Sequence, residues 1–330
     1  MDSKATPVHT AQHERLGATL VFLSALFWSF GGVIARFLTI ESSWTIVFWR
    51  ALFAGLFLLG FLLLRDGPRE TLRLYRNMGV PGLAVAFGFA VASTSFIIAI
   101  QFTTVANVIL IQAGVPLLAA LMAWIVYRER IALPTWIAIA AVIFGVALMV
   151  TGGPLLDRLD TALGADLFTE AEMPTAGIDM SHAWIGNLLA VTIATVFAMV
   201  TVVTRRFQNV RQTPGASLGC FAAALVGLFM APTIGVTTAE LGILIVFGAL
   251  NLGLGMALFV TGARMIPSAF AALLGTAETV LSPVWVAIVH HEIPGTETII
   301  GGTIVLAALL GYLYSALRRH QPVSRTASPT

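Results

Sequence analysis

A carboxylate and a guanidinium lie inside stretches of sequence that are otherwise apolar. Glu278 lies near the middle of residues 268–289, and Arg50 lies within residues 44–64. Burying a charged side chain at the centre of a bilayer costs about 2.5 to 3.5 kcal/mol, so such residues are retained for a function or for a partner of opposite charge. In the first case Glu278 takes up protons or contacts a substrate. In the second case it pairs with Arg50, and both alternatives stay open from the sequence.

The position of Glu278 favours a place beside a cavity. At 1.5 Å per residue it is about 15 Å from either end of its apolar run, and Arg50 is about 10 Å from one end of its own run, so the two depths permit contact. Pro283 lacks a backbone N–H and frees a carbonyl group on the turn before it, near Glu278. The stretch is predicted to form a kinked helix that presents the carboxylate to a cavity.

Further polar residues within apolar runs extend the set of candidate binding residues. The predicted substrate- or ion-binding residues are Glu278, Arg50, Trp28, Ser29, Ser93, Asn107, Gln112 and Asn251. Two alternatives compete with this interpretation. Amides and hydroxyls also join helices through hydrogen bonds in membranes, and tryptophan also packs in protein cores.

The composition places these residues in a membrane protein. Of 330 residues, 58% are hydrophobic and 10% are charged, and the mean hydropathy is +0.92, whereas soluble domains are about 25% charged. The net charge of +2 does not indicate nucleic-acid binding. Cys220 is the single cysteine, which excludes a disulfide or a multi-cysteine metal site within this chain. No cofactor and no metal is predicted, since the sequence has no glycine-rich phosphate loop and no metal-ligand triad.

Ten apolar runs are predicted to cross the bilayer as helices. A hydrocarbon core about 30 Å thick requires ~20 helical residues, and runs without alternation of polar and apolar residues are helices rather than barrel strands. The predicted spans, numbered one to ten, cover residues 18–38, 44–64, 79–101, 105–126, 134–151, 184–204, 217–233, 241–262, 268–289 and 297–317. Glycines in spans three and ten, such as Gly88 and Gly301, predict close contact between helix backbones.

The basic residues indicate how these spans are oriented, because cytoplasmic loops collect Lys and Arg. With the N-terminus in the cytoplasm, 15 of the 18 basic residues fall in cytoplasmic segments, and only Arg158 falls in an outer segment. The remaining two, Arg36 and Arg50, lie inside spans. Both terminal segments, residues 1–16 and 318–330, are therefore predicted to be cytoplasmic.

Spans one to five and spans six to ten form two halves of similar length, residues 17–151 and 184–317. Because five is odd, two halves with the same fold enter the membrane in opposite orientations, which is the inverted-repeat plan of many secondary transporters. The predicted fold is an all-α integral membrane protein of ten helices in two inverted repeats. Residues 152–183, which connect the halves, contain six acidic residues and are predicted to form an outer loop, either a solvated linker or a lid.

Several residues in this plan resemble the EamA-type branch of the drug/metabolite transporter superfamily. They are Trp28 and Ser29 in span one, Arg50 in span two, and Glu129 and Glu292 after spans four and nine. The resemblance covers residues 17–317 and implies a transporter with a central cavity, in bacteria usually in the inner membrane, that often exports amino acids, related metabolites or drugs. The family commonly has glycine before each of these glutamates, where this chain has Arg128 and His291.

The expected function is secondary transport of a small-molecule substrate across the lipid bilayer, by alternating access around a cavity at the midplane. The proton is the expected coupling ion if Glu278 titrates. Spans one, three, four, six, eight and nine carry the polar residues and are expected to line the cavity, whereas Glu129 and Glu292 are expected at the membrane surface. The alternative is a channel-like or structural scaffold. An enzyme is not predicted, because no catalytic constellation occurs within the spans.

Overall fold

A computed structural model of the protein describes residues 7–128, 133–163, 180–207, 210–266 and 268–319, and every regular element in these ranges is helical. The α-helices are α1 (Pro7–Ser29), α2 (Gly31–Arg36), α3 (Ser43–Asn77), α4 (Gly79–Phe102), α5 (Val105–Gln112), α6 (Val115–Tyr127), α7 (Leu133–Leu163), α8 (Ala183–Arg206), α9 (Gln212–Met230), α10 (Thr238–Ile245), α11 (Gly255–Gly262), α12 (Ser268–His290) and α13 (Thr296–Arg319). A π-helical segment, Val246–Leu254, joins α10 to α11, and a 3₁₀ turn, Met180–His182, precedes α8. Glu129 and residues 164–179 of the acidic segment lie outside the described residues.

Most of these helices are long and apolar enough to cross a membrane. When helices separated only by a short irregular turn are counted as one span, eight spans among the described residues are long and apolar enough. They are Glu14–Arg36, Ser43–Asn77, Gly79–Phe102, Val105–Tyr127, Ala183–Thr204, Gln212–Met230, Thr238–Gly262 and Thr296–Tyr314. Two shorter apolar helices, Thr135–Val150 and Leu274–His290, fall on predicted spans five and nine. The chain is a helical multi-pass membrane protein.

Three of the spans are irregular along their length. Span one is interrupted at Phe30, between α1 and α2, and span four is interrupted at Ala113 and Gly114, between α5 and α6. Span eight passes through the π segment, in which hydrogen bonds skip one more residue than in an α-helix. Backbone groups that such irregularities free need partners within the protein, because lipid supplies none. Asn251 supplies one, since its Nδ2 donates to the carbonyl oxygen of Phe27 at 2.5 Å, next to the break in span one.

Helix ends differ from the predicted spans most clearly in α3 and α7. α3 continues past residue 64 to Asn77, with a break in the helical backbone at Gly67, whose φ is 78°. α7 continues to Leu163, so residues 152–163, which the sequence assigns to the acidic loop, are helical. α12 is helical on both sides of Pro283, and the kink that the sequence predicts there stays a prediction. A proline removes one backbone hydrogen bond, and the turns of α12 on either side keep the helix intact.

Contacts between connecting segments define two ends of the bundle. Thr45 Oγ1 donates to the carbonyl oxygen of Thr233 at 2.6 Å, which joins the start of span two to the end of span seven. The connections between spans one and two, three and four, and nine and ten lie at this same end, called the upper end below. At the opposite, lower end Arg211 forms an ion pair with Asp66 at 2.7 Å.

Glycines mark the closest helix contacts, as the sequence predicts. A Cβ added at Gly145 in α7 would lie 2.7 Å from the carbonyl oxygen of Gly301 in α13, which is closer than real Cβ contacts. In span three, a Cβ at Gly88 would overlap the side chain of Val200 in α8. These contacts confirm that the glycines of span three and of span ten each allow close approach of a neighbouring helix, α8 in the first case and α7 in the second.

Candidate substrate site

Glu278 lies near the middle of α12 and is partly buried. Its carboxylate forms no hydrogen bond and no ion pair with the residues that the structure describes. A partly buried carboxylate without a protein partner is available to a proton, to a cation or to a donor group of a ligand. Ionisable groups in this situation within spans mark substrate and ion pathways.

Unfilled space lies beside α12, one turn below Glu278. Ala271, Gly275 and Ser282 share one face of the helix, because they are four and seven residues apart, and Ala271 and Ser282 are buried. A Cβ added at Gly275 would nevertheless meet no heavy atom within 4 Å. The Ser282 hydroxyl is buried and has no hydrogen-bond partner among the described residues. Open space and a hydroxyl without a partner thus lie on the part of α12 that surrounds Glu278.

Arg50 is buried among aromatic rings rather than beside a carboxylate. Its Nη1 donates to Ser93 Oγ at 3.1 Å, and its guanidinium lies 4.4 Å from the ring centre of Phe247 and 5.4 Å from that of Phe96. The Nε atom is buried without a hydrogen-bond partner. Aromatic faces attract a cation through the ring quadrupole, so these rings offset part of the cost of burial. The structure brings Arg50 to Ser93 but forms no ion pair between Arg50 and Glu278.

Trp28 and Ser29 lie at the break in span one. The Trp28 ring packs against Phe259 of α11 with ring centres 5.5 Å apart, and its Nε1 is buried without a hydrogen-bond partner. Ser29 Oγ accepts a hydrogen bond from Trp285 Nε1 at 3.2 Å, which joins span one to span nine. Trp285 is seven residues from Glu278 and therefore lies on the same face of α12. Ser29 thus contacts α12 two turns above Glu278, and Trp28 has a donor without a partner among the described residues.

Asn107 and Asn187 form a buried amide pair at the upper end. Asn107 Nδ2 donates to Asn187 Oδ1 and also to Thr103 Oγ1, the latter at 3.2 Å. Thr298 of α13 donates to Asn107 Oδ1 at 3.4 Å. This network joins spans three, four, six and ten, and it occupies the amide of Asn107 with protein atoms. Its geometry is that of hydrogen bonds between helices.

Gln112 and Asn251 also make hydrogen bonds within the protein. Gln112 Nε2 donates to the carbonyl oxygen of Val108 one turn earlier, at 3.2 Å. Asn251 is buried and holds span eight to the break in span one. Of the predicted residues, Arg50 and Ser93 are therefore in contact, Ser29 is joined to Trp285 on the helix that carries Glu278, and Asn107 belongs to a separate network.

An ion pair that the sequence does not predict lies at the upper end. Arg36 Nε donates to Glu292 Oε2 at 2.9 Å, and Glu292 is buried, with 2% of its surface exposed. Glu292 is thus buried in the protein at the end of span nine, and its expected place at the level of the membrane surface stays a prediction. The two residues of the pair are 256 positions apart in the sequence. The sequence could have suggested the pair only through the predicted topology, which places both residues at the same end of the bundle.

The comparison with protein families decides what kind of molecule this is. The profile of the EamA-like transporter family matches two segments of the chain, residues 15–151 and 184–314. The chain belongs to the EamA-like transporter family. This membership confirms the resemblance found in the sequence, and the EamA-like repeat occurs twice.

Solved structures share the fold of this EamA-family protein. One crystal structure matches with a TM-score of 0.58 and 18% sequence identity, over 93% of this chain and 98% of the other. At this identity the likeness concerns the fold alone. No curated protein matches the chain, so the substrate has to be inferred from the site itself.

Proposed function

We propose that this EamA-family protein is a secondary transporter that exports a small metabolite, such as an amino acid, or a drug by alternating access. The main support is Glu278, a carboxylate that has no partner among the described residues and lies next to open space in the middle of an apolar helix. A structural scaffold has no need of such a group. Burying it is costly, and transport of a proton or of a positively charged group gives a reason to retain it.

The proposed architecture is ten spans in two inverted repeats, with both termini in the cytoplasm of a bacterial cell. The two family matches and the two sets of five apolar runs support it. The distribution of basic residues supports the orientation, since 15 of 18 lie in segments at the lower end or in the terminal segments next to it. The lower end then faces the cytoplasm, and the upper end faces outwards.

In this proposal Glu278 couples transport to the proton gradient. It takes up a proton when the cavity faces outwards, releases it when the cavity faces the cytoplasm, and exchanges it for the exported substrate. Arg50 provides a fixed positive charge with an unused Nε, and Ser93 and Trp28 provide polar groups for substrate contact. Alternating access requires that only one side of this cavity is open at a time.

A growth screen tests the proposed function. Cells that overproduce the protein, cells with an empty vector and cells that overproduce the Glu278→Gln variant are compared in a panel of toxic amino acids, metabolites and drugs. We expect protection against at least one compound by the native protein alone, at equal amounts of both proteins in the membrane. Equal protection by the variant would assign the effect to something other than Glu278, and no protection against any compound would contradict export.

A further inference from the structure

Successive contacts join spans one and nine above Glu278. In the first layer Phe30 stacks on Trp285 with ring centres 5.4 Å apart, beside the hydrogen bond from Trp285 to Ser29. In the next layer the His290 ring nitrogen lies 3.1 Å from the carbonyl oxygen of Val33. The ion pair between Arg36 and Glu292 forms the last layer. These contacts join the two spans at three successive levels between Glu278 and the upper end.

The last layer connects four spans at a single point. Besides Glu292, Arg36 binds the carbonyl oxygen of Ile100 in span three through Nη1 at 2.6 Å. Glu292 also accepts a hydrogen bond from the backbone N–H of Val105, the first residue of α5 in span four, at 2.5 Å. Spans one, three, four and nine are therefore held together by two charged side chains. Separating Arg36 from Glu292 would disconnect spans one and three, which Arg36 joins, from spans four and nine, which Glu292 joins.

Span four shows that the lower half of the bundle is packed differently. Both of its helices, α5 and α6, pack against α8, but the upper helix α5 also packs against α12 and α13, whereas the lower helix α6 also packs against α7. The free space beside Gly275 lies along this lower half of α12. On the side that faces span four, α12 is thus in contact at the upper end, whereas its lower half has open space at Gly275 and packs on α1 around Val21 and Ala271.

We propose that Arg36 and Glu292 are the outer gate of this transporter, and that the structure shows the state in which the gate is closed and the cavity faces the lower end. This inference rests on the proposed transport function. Both residues lie at the end of the bundle, so water can solvate the charges and the freed backbone groups when the gate opens. A buried pair at the midplane would have no such partner when it separates.

The test measures access to the cavity rather than transport. Ser282→Cys, in a protein with Cys220→Ala, places a thiol on the inner side of the Trp285 layer, at a position that is 1% exposed. A membrane-impermeant maleimide is applied to intact cells. In the closed state we expect almost no labelling. Glu292→Gln or Arg36→Gln removes the ion pair, and we expect the rate of labelling from outside to rise by about tenfold or more, because an unpaired buried charge is strongly unfavourable.

Asp66→Asn is the matched control, because it removes an ion pair at the lower end. The Arg211–Asp66 pair has an N–O distance of 2.7 Å, close to the 2.9 Å of the Arg36–Glu292 pair. It should leave outside labelling unchanged.

Hydrogen exchange of the purified variants shows whether they are folded. We expect the amide of Val105 to exchange faster, while the amides of α4 and α9 stay protected. Unchanged labelling in a folded Glu292→Gln protein would overturn the proposal. Loss of protection throughout the bundle would also overturn it, because a pair required for folding is not one that opens during transport. These outcomes are independent of the growth screen, so the gate and the transport function can fail separately.

Discussion

Arg128 and His291 have the same left-handed backbone conformation, with φ of 53° and 55°, at the ends of two helices that lie in different halves of the chain. Arg128 follows α6, His291 follows α12, and each precedes a glutamate. Residues other than glycine pay roughly 1–2 kcal/mol in this conformation. The two repeats end corresponding helices in the same way, and this chain tolerates strain at both ends.

Replacing either residue by glycine should stabilise the protein. Arg128→Gly and His291→Gly remove the steric cost of positive φ, and glycine loses part of this gain through its greater freedom in the unfolded chain, so we expect a gain of about 0.5 to 1 kcal/mol. Thermal unfolding in detergent measures it. Ala287→Gly, within α12, is the control and should destabilise by about 1 kcal/mol. Destabilisation by His291→Gly would contradict the argument from backbone strain.

The Glu278→Gln variant should separate coupling from binding. Glutamine keeps the size and hydrogen bonding of glutamate but cannot titrate, so we expect normal amounts in the membrane, loss of transport driven by a pH gradient, and retained exchange of substrate across vesicle membranes. Glu14→Gln, at an exposed position of α1, is the control and should keep the pH dependence. Normal pH-dependent transport by a well-expressed Glu278→Gln protein would rule out proton coupling through this residue.

Arg50 and Glu278 should contribute independently to stability. They form no ion pair in the structure, so the effects of Arg50→Gln and Glu278→Gln on the free energy of unfolding should add to within about 0.5 kcal/mol in the double variant. A direct pair would give a different result: each single replacement would cost about 3 to 5 kcal/mol, and the double replacement would recover much of it. Arg50→Lys should also destabilise, because lysine replaces the planar group that lies over Phe247.

Cysteine accessibility should distinguish the cavity from hydrogen bonds between helices. In a protein with Cys220→Ala, we expect Gly275→Cys to react with a small aqueous thiol reagent, because a side chain there enters open space. Asn107→Cys and Asn251→Cys should react slowly, because both positions are only 3% exposed and their amides contact protein atoms. Fast labelling at Asn107 or Asn251, with protection by substrate, would instead place them in the cavity.

Reporter fusions should establish the orientation. A reporter fused after Arg325 should report the cytoplasm, and one inserted within residues 155–180 should report the outer side, because basic residues favour cytoplasmic segments. Activities of a cytoplasmic and an exported reporter, compared at each site, measure this. A reversed result at either site would contradict the count of ten spans.

The positions of the spans follow from the sequence more closely than their internal shape does. Span three is predicted at residues 79–101 and forms α4, Gly79–Phe102, because a polar or basic boundary limits its apolar run at each end. The π segment and the break at Phe30 are not predictable in this way. Both depend on a contact between distant parts of the chain, in which Asn251 binds a carbonyl group of span one.

The candidate site shows the same division. Glu278 can be recognised from the sequence alone, because a single charged residue within an apolar run stands out without information on which residues contact it. The surroundings of Arg50 cannot, since Phe96 and Phe247 are indistinguishable in the sequence from phenylalanines that face lipid. The pair of Arg36 and Glu292 was missed for a related reason, because each residue alone resembles a charge at the end of a helix.

The π segment in span eight also has a consequence for the divergence of related chains. In a regular α-helix, loss of one codon turns every later side chain by about 100° and shortens the helix by 1.5 Å. Within Val246–Leu254 the backbone already contains surplus residues in its turns, so a deletion there can restore α-helical hydrogen bonds while the flanking helices keep their facing surfaces. Length variation among homologues within this span is therefore expected to concentrate at these nine residues. A deletion of Asn251 itself would also remove the amide that binds the carbonyl group of Phe27 in span one.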